Sequence, residues 1–160
     1  MPNTNSLEDL FGYHFQDPGL LSKAMIHGSA RDTKGIGQDE IVYAQRLSWL
    51  GDSVLDLIIS HELYSRFPKL SKEDLNDYHI QLTNNDALGR LAQELGLRPA
   101  MVIGKSLQQD RKGPDHVMLA GALEAVLGAI YLDGGIQSAQ KAVRRILSAN
   151  FRKLPARPSI

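Results

Sequence analysis

The sequence predicts an all-α protein built as one domain. Apolar residues recur at three- and four-residue steps, as in Leu47, Leu50, Val54 and Ile58. Helix caps and stops flank those stretches, and no alternation of apolar and polar residues marks a strand. The 160 residues give room for one hydrophobic core. We expect a single domain over 1–160, with its core at about 6–152 and a basic tail at 153–160. Apolar residues make up 42% and charged residues 22%, which argues against disorder. The absence of cysteine excludes a disulfide scaffold, a cysteine-ligated metal and a cysteine nucleophile.

The elements follow in order. Ser6-Leu7-Glu8-Asp9 reads as a capping box for a short helix ending near Gly12. Asp17-Pro18 supplies an N-cap and a proline at the first helical position, for a helix to about His27. Residues 31–40 contain Lys34-Gly35-Ile36-Gly37-Gln38-Asp39 and read as a polar loop. A long helix is expected from about Ile41 to Phe67, ended by Pro68. Ser71-Lys72-Glu73-Asp74 caps the next helix, carried by Leu75, Tyr78, Leu82, Leu88, Leu91 and Leu95 and closed by Gly96. Residues 99–114 are irregular, with Gly104, Gly113 and Pro114 as breakers. A strongly apolar helix spans about Asp115–Leu132, stopped by Gly134-Gly135, and a last helix covers about Gln137–Arg152. No uninterrupted apolar run reaches the roughly 18 residues of a membrane span, and no signal peptide opens the chain. The expected location is the cytoplasm or an organellar matrix, with no membrane partner.

Charge is balanced overall and uneven along the chain. Up to Asp133 there are 12 basic and 18 acidic residues. Beyond it stand Lys141, Arg144, Arg145, Arg152, Lys153 and Arg157, and no acid. Such an end can meet phosphate or be a solvated helix face.

Two apolar helices each hold an acid. Asp52 lies in Leu47-Ser48-Trp49-Leu50-Gly51-Asp52-Ser53-Val54-Leu55, and Glu124 in Leu119-Ala120-Gly121-Ala122-Leu123-Glu124-Ala125-Val126-Leu127-Gly128. A carboxylate in such surroundings needs a charged partner, hydrogen bonds or a metal. Glycines at 51, 121 and 128 each cost up to about 1 kcal/mol against alanine in a helix, and close backbone approach is their expected reason. An arginine or backbone partner explains such acids as well as catalysis does.

The run Arg46-Leu47-Ser48-Trp49-Leu50-Gly51-Asp52-Ser53-Val54-Leu55 resembles the signature helix of the ribonuclease III family. Phe11-Gly12-Tyr13-His14-Phe15 with Leu20-Leu21 and Ala24 is similar to the family's opening helices. Ile26-His27-Gly28-Ser29-Ala30 resembles its histidine–serine motif, and Leu63-Tyr64-Ser65-Arg66-Phe67-Pro68 the segment closing the signature helix. Leu119 through Gly135 resembles its second acidic motif. The likeness covers roughly residues 6–152. It implies an all-α endonuclease domain dimerising through the signature helix, as a homodimer or as a heterodimer with a related subunit. It also implies double-stranded or otherwise structured RNA as substrate, cleaved with Mg²⁺ held by four carboxylates. Magnesium takes hard oxygen ligands in near-octahedral geometry.

On this sequence the four ligand positions are Ser48, Asp52, Gly121 and Glu124. Only Asp52 and Glu124 are acidic. The resemblance also implies a glutamate where Gln45 stands and an acid near Lys72. The departures gather at the chemistry while the framework motifs remain. Asp56 follows Asp52 by four residues and shares its side of the helix. It could replace a lost ligand only with the ion moved one turn along. Magnesium binding is expected to be weak, on Asp52 and Glu124. Family members commonly append an RNA-binding domain; in a chain ending at Ile160 we expect Arg144, Arg145, Arg152 and Lys153 to take over phosphate contact.

His27 with Ser29 is expected to serve packing rather than catalysis. Asn84-Asn85-Asp86 reads equally as a rim of the cleft or a solvated face. Trp49 is expected in the core or in a dimer contact. Three functions follow. The first is a degenerate, non-cleaving domain acting as a structural or regulatory subunit in RNA processing or a ribonucleoprotein. The second is an active, divergent Mg²⁺-dependent endoribonuclease maturing double-stranded or ribosomal RNA. The third is a protein-interaction partner of an active ribonuclease III-type subunit.

Overall fold

A computed structural model describes residues 4–109 and 115–156. Its order is α1 (Thr4–Phe11), α2 (Pro18–Ala24), a 3₁₀ turn (Gly28–Asp32), α3 (Gln38–Arg66), α4 (Lys72–Thr83) and α5 (Asn85–Glu94). A second 3₁₀ turn (Arg98–Ala100), α6 (Lys105–Gln108), α7 (His116–Ile146) and α8 (Ser148–Lys153) complete it. Among the described residues the only extended pairing is a single parallel bridge between Ile26 and Val102. The all-α expectation holds.

Two long helices form the frame. α3 opens with the Glu40 carboxylate accepting from the Gly37 N–H at 2.9 Å, and Asp39 and Glu40 complement the positive end of the helix dipole. It ends before Pro68, whose ring disfavours a helical residue at Phe67. α7 starts at Asp115, whose carboxylate accepts from the N–H groups of Val117 and Met118. Leu119, Leu123, Val126, Leu127 and Ile130 of α7 are buried, and Leu55, Ile58, Ile59 and Leu63 of α3 belong to the same core. An 18-residue stretch of α7 is long and apolar enough to cross a membrane by composition. The sequence reading of uninterrupted runs missed this, because Gly121 and Glu124 break the run without lowering its mean. Most of that stretch is buried inside the protein.

The crossing of α3 and α7 explains two of the three singled-out glycines. A Cβ on Gly51 would overlap the carbonyl of Glu124, and one on Gly128 the carbonyl of Leu47. The close approach is therefore inside one chain.

Several boundaries differ from the sequence reading for local reasons. α1 begins at Thr4, so Ser6 lies inside the helix rather than at its cap. α2 stops at Ala24, because the His27 N–H donates to Val102 and the Val102 N–H to Met25 in the parallel bridge. The single helix expected over 71–96 is two. Asn84 turns extended and its side chain accepts from the Ala87 N–H at 2.9 Å, so capping overrides the apolar period. Gly135, with φ +82°, breaks α7 where the sequence places a stop. The last helix breaks at Leu147. The irregular stretch contains the second 3₁₀ turn and α6, while Gly113 and Pro114 lie outside the described residues.

The Asp133-Gly134-Gly135 text is structural. The Asp133 carboxylate accepts from Tyr13 Oη at 2.7 Å and from the N–H groups of Gln16 and Asp17. Burial would raise its pKa, and these bonds outweigh burial and hold it below the usual range. A Cβ on Gly134 would collide with the Tyr13 ring. The opening loop is thereby pinned to the end of the apolar helix.

Candidate functional site

The cleft lies along one side of the α3–α7 crossing. Ser48 and Asp52 stand one turn apart on α3, and Gly121 and Glu124 face them from α7. Ser48 Oγ donates to Glu124 Oε2 at 3.2 Å. Asp52 is exposed and Glu124 half-buried. The expectation that Asp52 sits inside apolar surroundings is corrected: it is on the solvent side of its helix. Glu124 is pushed up to about 7, first by burial, then by the charge of Asp52 and by a hydrogen bond to Asp52 that favours its protonated form. The Ser48 hydroxyl works against that rise.

Asp56 continues the acidic side. His79 of α4 brings Nε2 to within 3.4 Å of Asp56 Oδ1. Burial and the charge of Asp52 raise the Asp56 pKa, and His79 opposes them. His79 was missed by sequence reading; its four-residue step from Leu75 toward the α3-facing side was the available signal. Lys72 is exposed, 3.9 Å from the Glu73 carboxylate, and lines a shallow hollow with Asp56, Asn76 and His79.

Gly121 differs from the other two glycines. A Cβ there would meet only Ser48 Oγ, at an ordinary 3.6 Å. Beside it opens a cavity of about 250 Å³ whose lining includes His27, Gln45, Ser48 and Gly121.

The buried acid of α3 is Glu62, 4% exposed. It accepts from Arg144 Nε at 2.6 Å, Arg66 Nε at 3.1 Å and Gln140 Nε2 at 3.3 Å. Burial alone would raise its pKa, and the two guanidinium groups hold it below the usual range. Glu62 also escaped the sequence reading, although it shares the core-facing side of α3 with Ile58, Ile59 and Leu63. The candidate RNA contacts divide accordingly. Arg144 is tied to Glu62, and Arg145 Nε donates to the Leu10 carbonyl at 3.0 Å. Both arginines are exposed, and each also makes one bond inside the protein. Arg152 and Lys153 are exposed and form no ion pair among the described residues, and Arg157 lies outside them.

His27 has the packing surroundings expected of it. Its Nδ1 accepts from the Ser29 N–H at 3.1 Å and lies 2.9 Å from Ser29 Oγ, which accepts from the Gly104 N–H. Asn84 caps α5, and Asp86 pairs with His116 at 2.6 Å and Arg90 at 2.7 Å.

A family profile described as Ribonuclease-III-like matches residues 17–150. The chain belongs to the ribonuclease III-like family. "Ribonuclease 3" of Oleidesulfovibrio alaskensis is 36% identical over 145 residues, covering 91% of this chain and 62% of that one. The nuclease domain of ribonuclease III from Campylobacter jejuni superposes with a TM-score of 0.82 at 30% identity, covering 97% of this chain and 100% of that domain. A second structure of that domain, described as showing flexibility in a region involved in dimer formation, gives 0.81 and 30%, covering 94% and 99%. The chain spans about three fifths of the length of the curated relatives it matches.

Ribonuclease III proteins are generally Mg²⁺-dependent. The residues of this cleft do not fit an ion held by four carboxylates. Two of the four positions offer a hydroxyl and a hydrogen atom. Among the described residues no three Asp, Glu or His side chains are grouped so as to hold an ion together. Gln45 at the cavity mouth is neutral and Lys72 is cationic, and neither offers magnesium an anionic oxygen.

Proposed function

We propose that this chain is an RNA-associated ribonuclease III-type domain without metal-dependent cleavage, serving as a structural or regulatory subunit in RNA processing or a ribonucleoprotein of the cytoplasm. One observation carries this reading. The framework glycines, caps and pinning bonds are intact, while the positions that should hold metal present only Asp52 and Glu124, with Ser48 bonded to Glu124. Losing direct ligands removes both the activated water and the charge stabilisation a metal supplies at phosphate.

Phosphate contact is assigned to Arg152 and Lys153 and to the exposed parts of Arg66 and Arg144. Glu62 fixes the two arginines in place, and Arg66 stacks at 4.5 Å on Phe151. This cluster is about 15 Å along α3 from Asp52 at the usual rise per residue. At physiological salt that distance screens Asp52, while Asp56, about 9 Å away at the same rise, is only partly screened.

Assembly is assigned to the outer side of α3. Val42, Trp49, Leu57 and Tyr64 are exposed at seven- and eight-residue steps, a helical stripe, and Trp49 is 76% exposed. It is not a core residue of the monomer. Beside it an apolar hollow of about 210 Å³ is lined by Tyr43, Leu47, Leu50 and Leu132. Such a patch asks for cover, and we assign it to a second copy of the chain.

The test is binding of a fully paired RNA duplex by fluorescence anisotropy across a salt series, with sedimentation alongside. We expect a dimer whose affinity falls with salt, a shallower salt slope in Arg152→Ala/Lys153→Ala, and a monomer in Trp49→Glu. No duplex binding at low salt overturns the RNA reading. A monomeric unmodified chain overturns the homodimer and points to a related subunit as partner.

A further inference from the structure

We infer that the cavity beside Gly121 is a receptor for one unpaired purine base, guanine above all. This rests on the reading that the chain binds RNA.

The cavity lies between α2, α3 and α7. Ala24, Ala44, Ala122 and Ala125 line it with small apolar surface, and Met101 and Met118 add adaptable sulfur-containing walls. At about 250 Å³ the cavity falls just below the range that holds drug-sized ligands, so it accommodates a bicyclic ring and leaves sugar and phosphate outside. The absence of a side chain at Gly121 keeps the wall nearest Ser48 open.

The polar groups select the ligand class. His27, Gln45, Ser48 and Asp115 are spaced around the cavity. Among the described residues of the lining, Asp115 is the one formally charged side chain, and it is negative. Burial lowers the His27 pKa, the charge of Asp115 opposes it, and Nδ1 is already an acceptor for Ser29. Among the described residues of the lining there is no Lys or Arg to hold a free phosphate or carboxylate. A neutral heteroaromatic ring meets a different reception. His27 offers Nε2–H as a donor, and the Gln45 carboxamide offers both a donor and an acceptor at the mouth. Asp115 uses Oδ1 to cap α7, and its other oxygen is an acceptor. Guanine is the base whose pairing edge presents adjacent donors to a carboxylate, while its O6 and N7 accept from donors such as His27 and Gln45. Bases are read in this way when splayed out of single-stranded RNA.

Position supports the assignment. Ser48 belongs both to the cavity lining and to the bond with Glu124, so the cavity is continuous with the cleft. Gln45 marks the end of the α3 cleft away from the Arg66–Arg144 cluster. A bulged base is assigned to that end of the cleft.

The experiment compares three ligands on the full chain: an RNA hairpin with one bulged guanine, the same hairpin fully paired, and free guanosine. Anisotropy reads the hairpins, and methyl NMR of Met101 and Met118 reads the guanosine. We expect the bulged hairpin to bind at least fivefold tighter than the paired one and guanosine to shift both methyls. Gly121→Leu fills the cavity; it should erase the preference and the shifts while leaving paired-hairpin affinity unchanged. Asp115→Asn keeps a capping side chain and should weaken the guanine preference alone. Equal affinity for the two hairpins overturns the inference, as does a preference that survives in folded Gly121→Leu. If neither hairpin binds and guanosine still shifts the methyls, the RNA reading fails and the cavity stands as a site for a free nucleoside.

Discussion

Gly128 and Gly121 lie two turns apart on the same helix and face the same partner, yet they exist for opposite reasons. At Gly128 the backbones of α7 and α3 touch, and a Cβ would strike the Leu47 carbonyl. At Gly121 the nearest atom to a Cβ would be a hydroxyl at an ordinary 3.6 Å, beside an open cavity. The first glycine holds the two helices together. The second marks where a side chain is missing. Tight steric demand at one glycine beside an open position at the other is the pattern that the proposed loss of chemistry without loss of fold would leave.

The largest effect is expected at the helix crossing. Gly51→Ala, whose Cβ would overlap a backbone carbonyl, should lower stability by about 3 kcal/mol or more, because neither helix can yield without shifting the core. Urea denaturation measures it, and a loss under about 1 kcal/mol would mean the crossing is loose.

A smaller effect is expected at Glu124. Its pKa stands at about 7 against an ordinary 4.5, raised chiefly by burial and then by Asp52. Between those values the folded state holds a proton that the unfolded state has released, so stability falls as pH rises through that window. The penalty is complete above about pH 7. Glu124→Gln removes it. The variant should match the unmodified protein near pH 4.5 and exceed it by on the order of 1–2 kcal/mol at pH 8, after allowance for solvent screening at this half-buried site. A stability difference that does not change with pH would contradict the assignment.

The smallest effect sharpens the other half of the comparison. Gly121→Ala should leave the fold unchanged and raise stability by up to about 1 kcal/mol, the ordinary gain of alanine over glycine in a helix. Thermal unfolding of this variant beside Gly51→Ala sets the two glycines against each other directly. A destabilised Gly121→Ala would show that this position, too, is packed.

Sequence patterns revealed the long elements because burial imposes its period on them. α3 and α7 were legible from apolar spacing, and Ser71 and Asp17 from their capping chemistry. The pattern misled where a local bond competes with it, as at Asn84, whose side chain caps a new helix in mid-period. It also misled for Met25 through His27, where a pairing with residues near Val102, far away in sequence, ends α2 early. At the site, Asp52 and Glu124 were legible as acids in apolar text, but which acid is buried was not. Asp52 faces solvent while Glu62, ten residues on, is the enclosed carboxylate of α3. Helix period alone separates those two sides only when the partner helix is known. His79 and the arginine pair on Glu62 depend on tertiary contacts that no spacing rule encodes.

The proposed loss of metal-dependent cleavage with the frame kept is open to direct measurement. The most direct measurement incubates long double-stranded RNA with the unmodified protein in Mg²⁺ and then Mn²⁺, beside Asp52→Asn and beside the double variant Ser48→Glu/Gly121→Asp. The account predicts no Asp52-dependent product from the unmodified chain and cleavage regained in part by the double variant, since Gly121 has room for the new side chain. Metal-dependent cleavage by the unmodified protein, abolished in Asp52→Asn, would contradict it and identify an active, divergent endoribonuclease.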